Sequence, residues 1–453
     1  MKFKNVLCST MAILPMFCAV ESQATNWASK TQEKAYNNTQ KLNEKQNARI
    51  AIIGGGASGL FLAKRLADNG FIARVYERGD RVGKKLSATG NGQGNITNCA
   101  VSTAEYFSVD GNAERIQKII RQYDDKLVFD EFAKLGVLLS FDERGRAYPT
   151  GKQASALTDA LRYYLAEKGV ETVLSAQVTA VRKEKGRFLL TVKTAEREET
   201  AEADYVVFCT GGKAQKNFGT DGSAYTCIRG LGHTVTRLYP SLVQLKTDVS
   251  YTKTLRGIRV ADAGLTATYT RNGVSKSVSL QGDVIFTEYG ISGDAVFRIS
   301  AFLTDVLDKE TTFYVDFLPN FTEEQIKKST KSKRESLPNL PESEYLCGIV
   351  NNQVGRAIIK RAGNGGIDEA IKLVKAFPLT VTGTLGFDYA QVTKGGIPLS
   401  EVRQDLQSVV CEGVYFAGET LDVDGQCGGF NLQWAFSSAY AVADAISARE
   451  GKV

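Results

Sequence analysis

Apolar positions in this chain change periodicity in a way that divides it. A short β-branched apolar run over Arg49–Ile53 suits a strand buried on both faces, and from Ala57 the apolar residues recur at helical intervals. Residues 73–77 predict a second strand ending in Glu77. Helical periodicity covers 111–139 and returns over 151–168, where Leu157, Leu161 and Leu165 share a face. Alternation predicts strands over 171–181 and 187–193, and 204–212 reads as a buried strand ending in Thr210, Gly211 and Gly212. From Tyr239 the pattern becomes short β-rich runs at 242–245, 265–269, 275–280 and 283–286, divided by turn residues, which predicts a small barrel or sandwich. Residues 317–377 are more charged and hold helical stretches such as 366–377. Beyond Gly386 the glycine-rich apolar style resumes, with a strand over 412–418, a loop over 419–429 and a long Ala-rich helix over 430–450.

The first strand, turn and helix carry chemistry. Gly54, Gly56 and Gly59 stand at G-x-G-x-x-G spacing. The first allows the tight turn, the second lets the backbone approach a pyrophosphate, and the third lets helix and strand pack closely. Ala57 and Ser58 open the helix, whose free N–H groups face the anion. Glu77, with Arg78 behind it, places a carboxylate where a ribose diol would sit. Residues 87–98 mix glycines with Ser, Thr and Asn, which suits a loop whose backbone meets a ligand, including Thr89, Gly90 and Asn95. A second strand-to-helix turn lies near the C-terminus, with Gly418 and Glu419 after the strand and Gly429, Phe430 and Asn431 opening the helix. Glu419 or Asp422 can hold ribityl hydroxyls, and the helix N-terminus can stabilise negative charge on a reduced flavin. Two helix N-termini from opposite ends of the chain, with no separate nicotinamide motif, favour FAD over NAD as the resident cofactor.

At 453 residues the chain is long enough for two or three domains, and its 43% hydrophobic content is ordinary for a globular protein. The net charge of +6 is modest. The cluster Lys327, Lys328, Lys331, Lys333 and Arg334 alternates with Glu323, Glu324 and Glu335, as on a solvated helix face, so no nucleic-acid partner is expected. None of the 8 cysteines forms C-x-x-C, and His233 is the only histidine, so no metal site is expected. Cys209 reads as core, and His233 as a satisfied core or loop residue. Residues 1–24 carry Lys2 and Lys4, an apolar run over 6–20 and a small-x-small ending at Ser22 and Ala24, like a secretory leader; an upstream start codon is the alternative. Pro15 and the short run argue against a stable membrane span. Residues 25–47 predict a disordered linker.

From Ala48 onward the chain resembles the BaiN-like flavoproteins, NAD(P)/FAD-dependent oxidoreductases of the aminoacetone-oxidase type. The resemblance rests on 52–59, 83–86, 89–98, 286–293, 390–396 and 415–433. It implies an α/β fold with a two-part Rossmann-like FAD-binding domain, over 48–238 and 386–453. The interruption is a β-barrel-like insert over 239–318 and a helical insert over 319–385. It also implies reduction of FAD by NAD(P)H, a small organic substrate such as an enone or ketone, or O2, and backbone near Val178 against the adenine. A cytoplasmic setting is implied too, against the exported one its leader suggests. Lys85 reaches a phosphate or is merely solvated. The sequence names no proton donor; Asn95 and Tyr289 are the candidates, and Tyr289 reads more readily as barrel core. Two stretches depart from the family: Gln93 and Gly94 stand where it has Arg-Cys, and 405–409 reads Asp-Leu-Gln-Ser-Val where it has Thr-Met-Glu-Ser-Lys. The altered loop keeps open a non-catalytic flavin-binding module, and the leader an exported electron-transfer flavoprotein. Oligomeric state is not readable.

Overall fold

The computed structural model describes residues 48–102, 106–307 and 311–452. The leader and linker expected over 1–47 lie outside the described residues. Five strands form one parallel sheet: β1 (Arg49–Ile53), β2 (Ile72–Tyr76), β3 (Glu171–Val173), β4 (Tyr205–Phe208) and β5 (Val414–Phe416), in the order β5-β4-β1-β2-β3. β1 pairs with β4 on one side (Ile52 opposite Val207) and β2 on the other (Ile52 opposite Val75). Ile50 to Ile53 are buried because helices cover the sheet. Helix α1 (Ala57–Asp68) packs against α2 (Phe430–Arg449), the Phe61 ring lying tilted with its centroid 4.4 Å from Phe436 and 5.1 Å from Tyr440. So the chain's two ends build one domain, as its two strand-to-helix turns imply.

Between them stands a closed six-stranded barrel of Leu245–Thr247, Gly290–Ser292, Val274–Phe286, Arg259–Arg271, Thr312–Asp316 and Phe377–Thr384. The short runs read at 265–269, 275–280 and 283–286 belong to one long hairpin of two 13-residue strands. Its turn is Asn272-Gly273, both left-handed at φ 53° and 74°, the turn geometry whose twist matches paired strands. Leu265, Ala267 and Tyr269 alternate inward from Thr266 and Thr268. The sixth strand, Phe377–Thr384, comes from the stretch expected to be helical. Its Phe377 and Leu379 fill the barrel core, and Thr380 pairs with Thr312. Helices Glu323–Ser336, Asn352–Ala362 and Gly366–Lys375 share that core through Ile326, Ile358 and Ile371. An antiparallel pair, Tyr239–Ser241 with Val392–Lys394, carries the chain into the barrel and back. Among the described residues, no helix is long and apolar enough to cross a membrane.

Candidate functional site

A cavity of about 1110 Å³ opens where β1, β4 and α2 meet the barrel. At one end lies the turn after β1. Gly59 is buried against Gly54, whose carbonyl oxygen would stand 2.0 Å from a Cβ there, so only glycine allows this approach of α1 to the turn. Gly56 is the opposite case. A Cβ on it would meet nothing within 4 Å and would project into open space. No side chain caps α1 at Gly56, so its first N–H groups face the cavity. Glu77 accepts from Gly55 N (2.8 Å) and Gly79 N (2.7 Å), which fixes the carboxylate at the cavity wall.

A smaller recess of about 70 Å³ adjoins it, lined by Glu77, Arg78, Val178, Thr210 and Asp221. Arg78 closes over it through Asp221 (2.9 Å) and Ser223 (2.9 Å). Although burial opposes ionisation of Asp221, the Arg78 guanidinium and the Ser223 contacts bring its carboxyl down to about 2.

The other end is framed by two loops. One, 89–95, carries Thr89, Gly90 and Asn95. Asn95 is buried and its Oδ1 has no partner, so an acceptor stands ready at the cavity wall. At Gly94, in the position of the family's cysteine, φ is +83° and a Cβ would lie 3.0 Å from Ala154 Cα. Glycine lets this loop press against Ala154–Glu167, leaving Gln93 on the cavity wall. The other loop, 426–431, opens α2 from Gly429, left-handed at φ 102°. Asn431 clamps that loop, its Oδ1 accepting from Gly425 N (2.8 Å) and its Nδ2 donating to Gly425 O (2.9 Å). Glu419 lines the cavity and accepts from Lys85 Nζ (2.9 Å) and Thr393 N (2.7 Å). Lys85 is therefore ion-paired within the cavity wall.

The structure thus brings Gly54, Gly56, Ala57, Ser58, Glu77, Lys85, Thr89, Gly90, Asn95, Thr210, Gly211, Glu419, Gly429, Phe430 and Asn431 to one cavity, and Arg78 and Val178 to its annex. Gly418 lies beneath it, where its N–H donates to Ser438 (2.8 Å) and its carbonyl accepts from Trp434 (3.1 Å). Asp422 is fully buried behind the wall, accepting from Val109 N (2.9 Å), and burial pushes its carboxyl up to about 6. Tyr289 stands in the turn between two barrel strands and does not line the cavity. His233 is buried between Glu401 (2.8 Å) and Ser408 (2.8 Å). The trio has the residue types of a nucleophilic triad, but Ser408 is buried and outside both cavities, so it works as a structural tie. Among the described residues no cluster of His, Cys, Asp and Glu could hold a metal.

Among the cavity residues that escaped the sequence pattern are Arg146 and Tyr148. They project from the same face of the strand Arg146–Pro149, which pairs with Thr97–Asn98, while Ala147 between them turns into the core. Only the alternation of that short segment could have signalled them.

The profile described as the HI0933-like protein Rossmann domain matches residues 48–445. The 3-dehydro-bile acid delta(4,6)-reductase of Clostridium scindens is 33% identical over 417 residues, spanning 88% of this chain and 99% of that protein. A ribosomal RNA dihydrouridine synthase of Haemophilus influenzae is 28% identical over 414 residues, spanning 89% and 99%. Among solved structures, the 3-ketosteroid-delta4-(5alpha)-dehydrogenase of Rhodococcus jostii RHA1 aligns with TM-score 0.47 and 14% identity, covering 90% of this chain and 98% of that one.

Proposed function

Because the chain belongs to the HI0933-like Rossmann family, we propose that this FAD-dependent oxidoreductase takes electrons from NAD(P)H and reduces a carbon–carbon double bond conjugated to a carbonyl in a small molecule. The observation that carries the reading is the relation to the bile-acid reductase, which extends over 88% of the chain. Its name describes a 3-oxo compound with double bonds at positions 4 and 6. Dihydrouridine, in the second relative's name, is likewise the reduced form of a double bond next to a carbonyl. One bond type joins the two names, although their substrates differ greatly in size.

The cavity fits FAD. Gly56 leaves space where a side chain would intrude, the uncapped α1 N-terminus offers donors to a pyrophosphate, and Asn95 presents an unpaired acceptor. In this reading Gly54 to Gly59 hold the pyrophosphate and Glu77 the adenosine ribose, with Arg78 and Val178 around the adenine. Glu419, kept in place by Lys85 and Thr393, holds the ribityl hydroxyls. The α2 N-terminus at Gly429 and Phe430 lies where negative charge on a reduced ring is stabilised. When bound, FAD supplies the hydride-accepting and hydride-donating chemistry that protein side chains lack. The residues position it, hold its charge and shape the acceptor's side of the cavity.

Turnover under anaerobic conditions tests the reading. The purified protein with FAD, NADPH or NADH and a 3-oxo-4-ene steroid is expected to lose enone absorbance and nicotinamide absorbance in equal amounts. Nicotinamide consumption that leaves the enone intact, with uridine in ribosomal RNA reduced instead, would move the substrate to the nucleic-acid class. No loss of either would contradict the reading.

A further inference from the structure

Reducing a conjugated double bond takes a hydride at the β-carbon and a proton at the α-carbon. The groups that hold a proton at the cavity wall are few. Lys84 and Lys85 are tied to Asp80 (2.6 Å) and Glu419 (2.9 Å). Cys427 already gives its S–H to Gln391 Oε1 (3.8 Å). Tyr389 is 58% exposed at the mouth. Tyr148 is different: it is 7% exposed, lines the cavity, and its hydroxyl has no hydrogen-bond partner among the described residues.

Its position is fixed from both sides. The strand carrying Tyr148 pairs through Ala147 with Thr97, and Ile96 N donates to Ala147 O (3.0 Å), so the ring stands beside the loop that bears Asn95. Cys427, from the loop that opens α2, faces it across the cavity. Both loops that frame this end therefore border the phenol.

Cations gather around it. Lys152 Nζ stands 3.7 Å from the ring centroid and the Arg146 guanidinium 5.8 Å. Lys152 reaches this place through a left-handed backbone at φ 50°, its N–H closing the turn onto Pro149 O (2.8 Å). A lysine held at positive φ is strained, and such strain concentrates at working sites. The other charged groups facing the phenol are Asp142, which binds Arg146 (2.7 Å), Arg144 on the preceding loop, and Asp294 with Arg298 on the barrel helix. Burial pushes the phenol up from its ordinary value, and Arg146 works against that rise. A phenol in this state gives up its proton only when an acceptor takes it, and Lys152 with Arg146 stabilises the anion left behind.

Resting on the function proposed above, we propose that Tyr148 is the proton donor of acceptor reduction. When bound, FAD would supply the hydride for the new C–H bond at the β-carbon, with a nicotinamide dinucleotide as the reductant. The O–H bond of Tyr148 breaks, its proton goes to the α-carbon, and the phenolate takes a proton back from water at the cavity mouth.

The test separates two half-reactions of the holoenzyme. After anaerobic reduction, reoxidation is followed with a 3-oxo-4-ene steroid and, separately, with O2. Tyr148→Phe is expected to slow reoxidation by the enone by about 10²-fold or more while leaving reduction by nicotinamide and reoxidation by O2 unchanged. Carbon NMR of ζ-labelled tyrosine in the apoprotein, assigned by difference from Tyr148→Phe, is expected to show the phenol's titration moving to higher pH in Lys152→Gln. An enone rate that Tyr148→Phe leaves unchanged overturns the assignment and spares the function. A wild-type reduced protein that no enone reoxidises overturns both. A titration that Lys152→Gln does not move removes the cation support on which the donor argument depends.

Discussion

Gly56 and Gly59 belong to one motif but answer different demands, and substitution separates them. A Cβ at Gly56 points into open space, and the residue's φ of −83° suits any side chain. Gly56→Val is therefore expected to leave stability within about 0.5 kcal/mol of wild type. The same side chain would enter the place proposed for the pyrophosphate, so FAD affinity should fall at least about tenfold, or 1.4 kcal/mol. Gly59→Ala presses a methyl onto Gly54 O at 2.0 Å, and the expected cost is about 1–3 kcal/mol or more of fold stability, read as a lower melting temperature of the apoprotein. Equal effects of both substitutions on melting and on FAD retention would mean that Gly56 does not face the cofactor. These glycines were readable in the sequence because each need is local: a tight turn, an open approach, a close crossing. Tyr148 was not readable, since its place depends on the pairing of residues 97 and 147, which no short-range spacing records.

At the scale of elements, the junction between the two-part domain and the barrel is held by buried charge. Asp424, on the short strand Asp424–Gly425, accepts from Ser241 Oγ (2.8 Å), and its Oδ1 has no partner. Nearby Lys394 binds the carbonyl of Ala301, in the barrel helix Asp294–Leu303, and Asp305 just after it (3.2 Å). Burial pushes the Asp424 carboxyl up to about 7, with Lys394 opposing and Asp422 and Asp305 adding to the rise. The folded protein therefore holds this proton more tightly than the unfolded chain. The stabilisation is complete below the unfolded value near 3.8 and is lost as pH rises through about 7. Asp424→Asn, which keeps the shape without the charge, should become more stable relative to wild type between about pH 5 and 8, by about 1 kcal/mol or more. Melting temperatures measured across that range check it, and parallel curves for the two proteins would contradict it. The pattern of the chain announced a barrel here, but not its long hairpin or its sixth strand. Polar residues on the outer face of Val274–Phe286 broke the hydrophobic run into pieces, and Phe377–Thr384 follows three helices before it closes the sheet.

For the whole molecule, the ends of the chain make the cofactor-binding half and its middle makes the barrel that walls the cavity. The first and last parts could be joined from sequence alone because two glycine-opened helices needed one ligand. The barrel's part in the site could not, because Phe297 and Arg298 reach the cavity only after the barrel helix docks. Of the two departures from the family, Gln93 lines the cavity and glycine at 94 lets the loop pack against Ala154–Glu167. In the function proposed here, this cavity holds FAD and passes it electrons from a nicotinamide. An absorption spectrum of the purified protein supplied with FAD, taken before and after anaerobic addition of NADPH or NADH, tests that claim most directly. Flavin bands are expected to stay with the protein through gel filtration and to bleach on addition of the donor. A protein that retains no flavin, or whose flavin bands persist with both donors, would contradict it.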